Sequence, residues 1–249
     1  MQIGQWQFKP RLIPSITTIL VLPLLVALGF WQLDRADQKR TIYQGFLKHQ
    51  EEVPVNLNDV NVLKESKSEL MWRHVFLSGS FVSGIVILLD NQTLDGVPGY
   101  LVFSPFRLTG KDKVVLVNRG WIVGNGNREE IPAIDTPTSD IKIEGLVKDV
   151  PATGIFLGNA PIETMSNGIY RAQRIEIDEI EQVLQLNLLP YIVRLEPDSG
   201  YGFERKWQLP GSGEEKHLGY AFQWFVLAIT LVIIYVAVNT KKNDGGKSE

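Results

Sequence analysis

The residues with the clearest chemical potential lie in the segment 216–225, where charged sequence gives way to an apolar run. On a helix, His217, Tyr220 and Trp224 fall on one side, because they are spaced i, i+3 and i+7. Neutral imidazole is a good axial ligand for haem iron, and aromatic rings can flank a porphyrin. The segment therefore has the composition of one wall of a haem site.

A second group of aromatic and polar residues closes the other apolar run of the chain. Trp31, Gln32 and Arg35 stand at the end of residues 12–33, and an arginine suits a propionate carboxylate through paired hydrogen bonds. If both runs cross one membrane, the end of the first and the start of the second reach the same interface. We expect this group to lie level with the histidine segment and to form an opposing wall.

Two interpretations of these residues stay open on physical grounds. Trp and Tyr are enriched at membrane interfaces, and an arginine there extends its charge into water, so the residues could form an aromatic belt. The alternative is a site for haem or a quinone. It gains weight because polar groups at a membrane edge are costly unless something pairs with them. One histidine does not decide between the two.

Two uncharged, apolar runs, residues 12–33 and 218–240, are long enough to span a bilayer. Lys and Arg on the short flanks favour the cytoplasmic side, which predicts cytoplasmic residues 1–11 and 241–249 and a periplasmic domain of residues 34–217. The N-terminus lacks the character of a mitochondrial transit peptide, which favours a bacterial inner membrane. A cleaved signal peptide is the alternative for the first run, and its length disfavours it.

The middle of the chain contains short β-type runs bounded by turn residues, which predict a mainly antiparallel sandwich or small barrel. The predicted strands cover residues 73–82, 85–89, 100–108, 113–123, 141–150, 169–175 and 191–195. One helix is predicted to begin at Asp178, with Glu181 completing a capping box, and to end before Pro190. The first membrane helix should continue to about Leu47, and residues 54–68 should form a loop. The expected class is an α+β membrane protein with two transmembrane helices flanking a β-rich domain.

The composition argues against several functional classes. With no cysteine, the chain can have no disulfide framework, no thiolate metal site and no covalent haem attachment. Copper delivery needs Cys or Met clusters, whereas Met1, Met71 and Met165 lie far apart. No nucleophile elbow or phosphate-binding loop is present, so we predict no enzyme and no nucleic-acid partner. His49 is a poor candidate for a second iron ligand, and His74 is expected on the solvated face of its strand. A periplasmic sensor or a structural scaffold is the competing class.

The segment 118–121, Asn-Arg-Gly-Trp, follows an apolar strand and precedes a turn-like sequence. Its side chains could point towards the membrane or a partner. The favoured interpretation is structural: Arg119 pairs with Asp90 or Glu130, the glycine relieves a β-bulge, and Trp121 fills the core.

Several stretches, in this order and over nearly the whole chain, resemble a known family. They are Gly29-Phe30-Trp31-Gln32-Leu33 with Arg35 and Lys39, Leu89-Asp90-Asn91, Gly96-Val97-Pro98-Gly99-Tyr100, Val115 to Trp121, and His217-x-Gly219-Tyr220-Ala221-x-Gln223-Trp224-Phe225. Together they resemble the surfeit locus protein 1 family, assembly factors of haem-copper cytochrome c oxidase. From the residues alone, 90–91 and 96–100 are interpreted as turns.

The resemblance implies a non-catalytic inner-membrane protein that helps to insert haem a into the catalytic subunit of the oxidase. Carried over by position, His217 would be the iron ligand, with Tyr220 and Trp224 beside it and the segment from Trp31 to Arg35 opposite. Haem a would be bound transiently and non-covalently. The implied partners are the catalytic subunit, haem a synthase and the lipid membrane. The alternative is a scaffold that stabilises the catalytic subunit without binding haem.

Overall fold

The structure, a computed structural model, describes residues 2–3, 6–125, 132, 134–152, 162–165 and 168–242. Its elements in chain order are β1 (Gln2–Ile3), β2 (Trp6–Phe8), α1 (Leu12–Gln50), β3 (Val55–Asn56), a 3₁₀ turn (Val62–Lys64), α2 (Lys67–Leu70), β4 (His74–Phe81), β5 (Val86–Leu94), β6 (Val97–Leu108), β7 (Val114–Val123), β8 (Ile141–Lys148), β9 (Glu163–Thr164), β10 (Ile169–Ala172), α3 (Ile177–Leu184), β11 (Leu188–Leu195), α4 (Glu214–Asn239) and β12 (Thr240–Lys242). They form two compact units, one of residues 1–44 with 208–249 and one of residues 45–207.

The first unit is built on α1 and α4. Their most apolar windows have mean hydropathies of 2.3 and 2.4, and only 6% and 11% of the residues in those windows are buried. A core helix of a soluble protein would be mostly buried, so these open apolar surfaces support a membrane protein. The prediction of two long apolar helices flanking a β-rich domain is confirmed. α1 continues beyond the expected Leu47 to Gln50.

Small residues form the seam between α1 and α4. Gly29 and Ala36 are buried on α1, and Ala221 and Ala228 are buried on α4. Each pair is spaced by seven residues, which keeps both positions on one side of its helix and lets the two backbones approach closely. Phe225 occupies the space beside Gly29, where an added Cβ would lie 2.7 Å from the aromatic ring.

Polar contacts at the two ends show that the helices run antiparallel. Ser15 Oγ lies 2.9 Å from Tyr235 Oη near the chain termini, and Arg40 contacts Glu214 at the other end of the pair. Beyond the first of these ends, β12 pairs with β2, which pairs with β1, all antiparallel. This small terminal sheet was not predicted, because its strands come from opposite ends of the chain.

The second unit contains a closed five-stranded barrel, which settles the predicted choice between sandwich and barrel. The strands follow one another around it as β4, β6, β7, β11 and β8, and β8 pairs with β4 again. Neighbours are antiparallel except β7 and β11, which are parallel. Greek-key barrels of the OB type have this arrangement, and the arrangement alone assigns no ligand.

The barrel interior and the sheet outside it are both held together by buried apolar side chains. Inside, the rings of Phe81 and Phe106 meet edge to face with their centres 5.1 Å apart. Outside, β5 extends the sheet from β6, and β10 lies parallel to β5. Ile180 of α3 is completely buried in a cluster with Leu89 and Phe103, so α3 covers this extension.

Strand boundaries differ from the prediction where turn-forming residues lie inside strands. β6 includes Pro98 and Gly99, and β11 includes Pro190, which was expected to follow the end of a helix. The turn between β5 and β6 is instead made by Asp95 and Gly96, with φ angles of 52° and 81°. Positive φ at both central residues of a two-residue loop is the type I′ hairpin.

The predicted capping box was wrong, although the predicted helix exists as α3. Asp178 lies in the first turn of α3 and does not cap it, and Glu181 Oε1 accepts a hydrogen bond of 2.6 Å from Leu188 N–H. A capping box occurs instead at α2, inside the predicted loop, where Ser66 N–H donates to Glu69 Oε2 at 2.8 Å. Both segments have suitable spacing, but α3 begins one residue before Asp178, and Glu181 is engaged by Leu188.

Candidate functional site

The helix pair brings the two predicted walls into contact at Gln32 and His217. Gln32 Oε1 lies 2.8 Å from His217 Nδ1. An amide oxygen can only accept a hydrogen bond, so a neutral His217 carries its proton on Nδ1. Nε2 then keeps its lone pair, and it has no hydrogen-bond partner among the residues that the structure describes. Nε2 is therefore free to bind a metal, and metal-binding histidines commonly have a hydrogen bond of this kind on the other ring nitrogen.

The residues around this contact explain why the side chains of Gln32 and His217 reach each other. Ala36 and Ala221 are buried in the seam, each with 1% of its surface exposed, and they bring the helices close together. One turn before His217, Glu214 Oε1 accepts hydrogen bonds of 2.9 and 2.6 Å from Arg40 Nε and Nη2. The ion pair is largely exposed and adds little stability, but it helps to fix the helix register.

Tyr220 and Trp224 lie beside the contact and not in it. They follow His217 on the same side of α4, and the Tyr220 side chain is 53% exposed while Trp224 is half-buried. The histidine therefore heads a partly open aromatic surface. Such a surface can accept a flat molecule and also release it.

Trp31 and Arg35 form a separate contact on α1. The Arg35 guanidinium lies 5.6 Å from the centre of the Trp31 ring and donates a 2.8 Å hydrogen bond to Gln38 Oε1. Trp31 is 48% exposed and Arg35 is exposed. Of the residues predicted for this wall, only Gln32 makes a hydrogen bond to the histidine segment in the described part of the chain, and Arg35 lies one turn after it.

The other two histidines, His49 in the last turn of α1 and His74 at the start of β4, have acidic partners. His49 Nδ1 is 3.2 Å from Glu52 Oε1, and His74 Nδ1 is 3.0 Å from Glu196 Oε1. This contact with His49 is the largest cause that lowers the pKa of Glu52. Within the described ranges no three His, Cys, Asp or Glu side chains come together as a metal site. His217 is thus distinguished from the other histidines by its amide partner.

Arg119 is buried, and its bonding supports the structural interpretation of segment 118–121. Only 2% of the residue is exposed. Its guanidinium donates to Tyr201 O at 2.8 Å, Asp135 O at 2.7 Å, Thr136 Oγ1 at 3.1 Å and Ser104 Oγ at 3.3 Å. The predicted partner Asp90 is not among these acceptors, and Glu130 lies outside the described residues. Burial lowers the pKa of Arg119 to about 10.

The glycine and tryptophan of this segment also have structural roles. The pairing of β6 with β7 shifts at Arg119, and Gly120 follows with a φ of 116°, so the predicted bulge is present. Trp121 is half-buried rather than a core residue, and its Nε1–H donates to Gln92 O at 3.3 Å. An added Cβ on Gly99 would lie 2.6 Å from the Trp121 ring, so two of the motifs behind the resemblance pack together.

The contact between Lys148 and Trp72 was not predicted from the sequence. Lys148 Nζ lies 4.3 Å from the centre of the Trp72 ring, and burial lowers the pKa of Lys148 to about 8. Trp72 has a φ of 70°, which is a strained conformation for a bulky residue. Nothing in the sequence pairs these residues, because they meet only through the fold.

Comparison with known proteins agrees with the resemblance. The model of the SURF1 family matches residues 19–229. A SURF1-like protein of Rickettsia felis is 28% identical over 230 residues, covering 89% of this chain and 95% of that protein. A SURF1-like protein of Rickettsia prowazekii is 27% identical over 235 residues, with 92% and 89% covered, and one of Dictyostelium discoideum is 28% identical over 138 residues, with 52% and 46% covered. Because the family model spans most of its length, the chain belongs to the SURF1 family, which is associated with cytochrome c oxidase assembly.

Proposed function

We propose that this chain is an oxidase assembly factor that holds haem a at the membrane edge and hands it over to the catalytic subunit of cytochrome c oxidase. The observation that carries the proposal is the 2.8 Å contact between His217 Nδ1 and Gln32 Oε1. It fixes the imidazole and directs the lone pair to Nε2, which is the form of histidine that binds iron. Haem a is here the cargo of the protein, and the chain itself carries out no catalysis.

The side chains near His217 match the other parts of a haem. Tyr220 and Trp224 continue the face of α4 that begins at His217, and their rings suit the flat macrocycle. Arg35 lies one turn after Gln32, and its guanidinium suits a propionate through paired hydrogen bonds. Bound haem would supply an iron with an open axial position for Nε2.

The exposure of this site favours transfer over permanent binding. Tyr220 is 53% exposed and Arg35 is exposed, so a bound haem would keep a free surface towards a receiving protein. We place the site at the periplasmic face of a bacterial inner membrane, with both termini in the cytoplasm. The reason is that positively charged residues precede the first span and follow the second. Haem a synthase is the proposed donor in this scheme.

The test compares purified His217→Ala with wild type, both from cells that make haem a. We expect His217→Ala to lose haem, as measured by the absorption spectrum and extractable haem per protein. Gln32→Leu removes only the partner of Nδ1 and should weaken haem binding by about 10- to 100-fold. His74→Ala is the matched control, because it removes a histidine that lies in the β domain. Equal haem content in His217→Ala and wild type would overturn the ligand assignment.

A second measurement separates haem delivery from scaffolding. In cells lacking the wild-type protein, His217→Ala should yield an oxidase with little haem a and normal copper. If this variant supported full oxidase assembly, the protein would act as a scaffold for the catalytic subunit and not as a haem carrier. Immunoblotting for the variant controls for its abundance in the membrane.

A further inference from the structure

The end of the helix pair at which Ser15 and Tyr235 meet has an excess of positive charge. Residues 1–11 and 240–249 flank the two spans at this end and contain five Lys or Arg and two Asp or Glu. At the other end, residues 34–44 and 208–217 contain four of each kind. Both ends lie near a membrane surface, because α1 and α4 are long and apolar enough to span a bilayer. Of the two ends, the first therefore has the charge that an anionic membrane surface complements.

Four of these cations lie in the described residues, and their charges are not neutralised there. They are Lys9, Arg11, Lys241 and Lys242, and all four are exposed. Their ammonium and guanidinium groups make no hydrogen bond or ion pair with any other described residue. The acidic residues nearest to them in the sequence, Asp244 and Glu249, lie outside the described residues. By contrast, Arg40 at the other end of the pair contacts Glu214 at 2.6 Å.

Asn239 holds the two cationic segments together. It is buried, with 1% of its surface exposed. Its side-chain oxygen accepts a hydrogen bond from Arg11 N–H at 2.7 Å, and its backbone oxygen accepts one from Lys9 N–H at 2.7 Å. Its amide group donates to Tyr235 O at 2.8 Å, which fixes it to the last turns of α4. Buried hydrogen bonds thus set the positions from which the four cations project.

The register of β2 and β12 places a tryptophan beside one of the lysines. Trp6 lies opposite Lys242, and Phe8 lies opposite Thr240. Opposed residues project on the same face of a sheet and alternate residues share a face, so these four side chains lie on one face. Phe8 packs edge to face on Tyr235 with ring centres 5.9 Å apart, so this face turns towards the helices. Trp6 is 54% exposed, and an indole there suits the headgroup layer of a bilayer.

We propose that the terminal sheet, formed by β1, β2 and β12, binds the headgroup of an anionic phospholipid together with residues 9–11. The four cations contact the phosphate, and the Trp6 indole lies among the headgroups. The helices provide the apolar part of the site. Leu12 and Ile13 in the first turn of α1 are 76% and 79% exposed, and Val238 in the last turn of α4 is 43% exposed.

This combination of groups distinguishes a lipid from other anions. A phospholipid has acyl chains that cover exposed apolar side chains, whereas a soluble phosphate has only the charge. Among lipids, the unpaired cations favour one with a net negative charge over a zwitterionic one, whose own ammonium group already balances its phosphate. The ligand is therefore a phospholipid such as phosphatidylglycerol.

The proposed lipid site is separate from the proposed haem site. Ser15, next to the terminal sheet, and Gln32 are 17 residues apart on α1, which is about 25 Å along the helix. The lipid site depends neither on the orientation of the protein in the membrane nor on the identity of its cargo. Haem content therefore serves as a control in the lipid experiments, and either proposal can fail alone.

The test measures lipid binding to the full chain purified in a neutral detergent. The protein is titrated with dioleoylphosphatidylglycerol or dioleoylphosphatidylcholine, and bound lipid is counted by native mass spectrometry. Phosphatidylglycerol should bind about 10- to 100-fold more tightly, because each cation near an anionic headgroup contributes about fivefold. Glycerol phosphate, which has the same charged group without acyl chains, should not displace it.

Four variants test the site itself. Lys241→Gln with Lys242→Gln should weaken phosphatidylglycerol binding by about 10- to 30-fold, and replacement of both lysines by arginine should preserve it. The matched control, Lys48→Gln with Lys216→Gln, removes two exposed lysines from the other ends of α1 and α4 and should leave binding unchanged. Asn239→Leu keeps all the cations but removes the hydrogen bond to Arg11, and should weaken binding by about threefold to tenfold.

Four results would each overturn the proposal. The first is equal affinity for the two lipids, and the second is displacement by glycerol phosphate, which would indicate a site for a soluble anion. The third is an equal loss of binding in the control with Lys48 and Lys216 replaced, because binding would then follow net charge alone. The fourth is wild-type affinity in Asn239→Leu with unchanged haem content, which would show that the arrangement of the cations does not matter.

Discussion

The hydrogen bonds of Arg119 predict that Arg119→Lys destabilises the protein more than Arg119→Met does. Lysine keeps the buried charge but has a single ammonium, which cannot span acceptors on separate segments of the β domain. Methionine has a similar length and removes both the charge and the donors. Common substitution scales would rank the two replacements in the opposite order.

The size of the effect follows from two opposing contributions. Arg119→Met removes the donors to Tyr201 O and Asp135 O, and the loss of two charged hydrogen bonds costs about 3–6 kcal/mol. Against this, burial lowers the pKa of Arg119 to about 10. Because this pKa lies below that of an ordinary arginine, the buried charge itself costs roughly 3 kcal/mol, which methionine recovers. The expected net loss for Arg119→Met is therefore about 0–3 kcal/mol, whereas Arg119→Lys should lose about 3–5 kcal/mol.

The measurement is urea unfolding of the full chain in mild detergent, followed by tryptophan fluorescence. Arg107 supplies the control, because its side chain is 45% exposed and its partner Asp112 is 3.7 Å away. Arg107→Lys and Arg107→Met should each change the free energy of unfolding by less than about 0.5 kcal/mol. The Arg119→Lys variant should also recover stability as the pH rises from 7, because a buried lysine loses its proton before an unfolded one does.

The outcome that refutes this reasoning is an Arg119→Lys variant at least as stable as Arg119→Met at pH 7. In that case the positive charge between the rings of Phe81 and Phe203 would contribute more to stability than the hydrogen bonds do. The centre of each ring is 4.9 Å from the guanidinium.

Two further predictions concern pH and packing. Burial lowers the pKa of Lys148 to about 8, so the unfolded chain binds more protons than the folded chain between pH 8 and the ordinary lysine pKa of about 10.4. The free energy of unfolding should rise with pH in that window, and Lys148→Met, unlike Lys142→Met, should flatten the rise in unfolding measurements across a pH series. In the same assay at neutral pH, Gly99→Ala should destabilise the protein by about 1–3 kcal/mol, because its Cβ would press on the backbone carbonyl of Ile122 and on the Trp121 ring. Gly45→Ala, with open space in a helix, should stabilise it by about 0.5–1 kcal/mol, and equal effects at the two glycines would contradict the packing argument.

The elements with local signals were predictable from the sequence, and the pairings between distant segments were not. The apolar runs gave α1 and α4, and the strand-like runs gave the barrel strands to within a few residues. Pro190 shows the limit of local rules. It was expected outside a strand, yet it lies in β11 where the pairing with β7 shifts between Leu188 and Ile192. A proline lacks the N–H that a regular ladder needs, and this irregularity accommodates it.

The same limit applies to the candidate site. Helical spacing placed His217, Tyr220 and Trp224 on one side of α4, and the structure has them there. Spacing alone could not show that Gln32 is the residue that reaches the histidine, because that depends on how α1 packs against α4. It also gave no sign of the bonding of Arg119, whose acceptors lie on segments far apart in the chain.

The contact between Gln32 and His217 bears on the choice between an aromatic belt and a binding site. A belt needs only that amphipathic side chains lie at the interface, and each of them can reach water independently. Here the Gln32 amide fixes the tautomer of the His217 imidazole, and small residues on α1 and α4 bring these two side chains together. A belt does not require such an arrangement, whereas a ligand does, because a histidine binds iron only through a correctly placed lone pair. The geometry thus supports the site that we propose at this position, and the comparison of His217→Ala with Gln32→Leu tests how much the arrangement contributes.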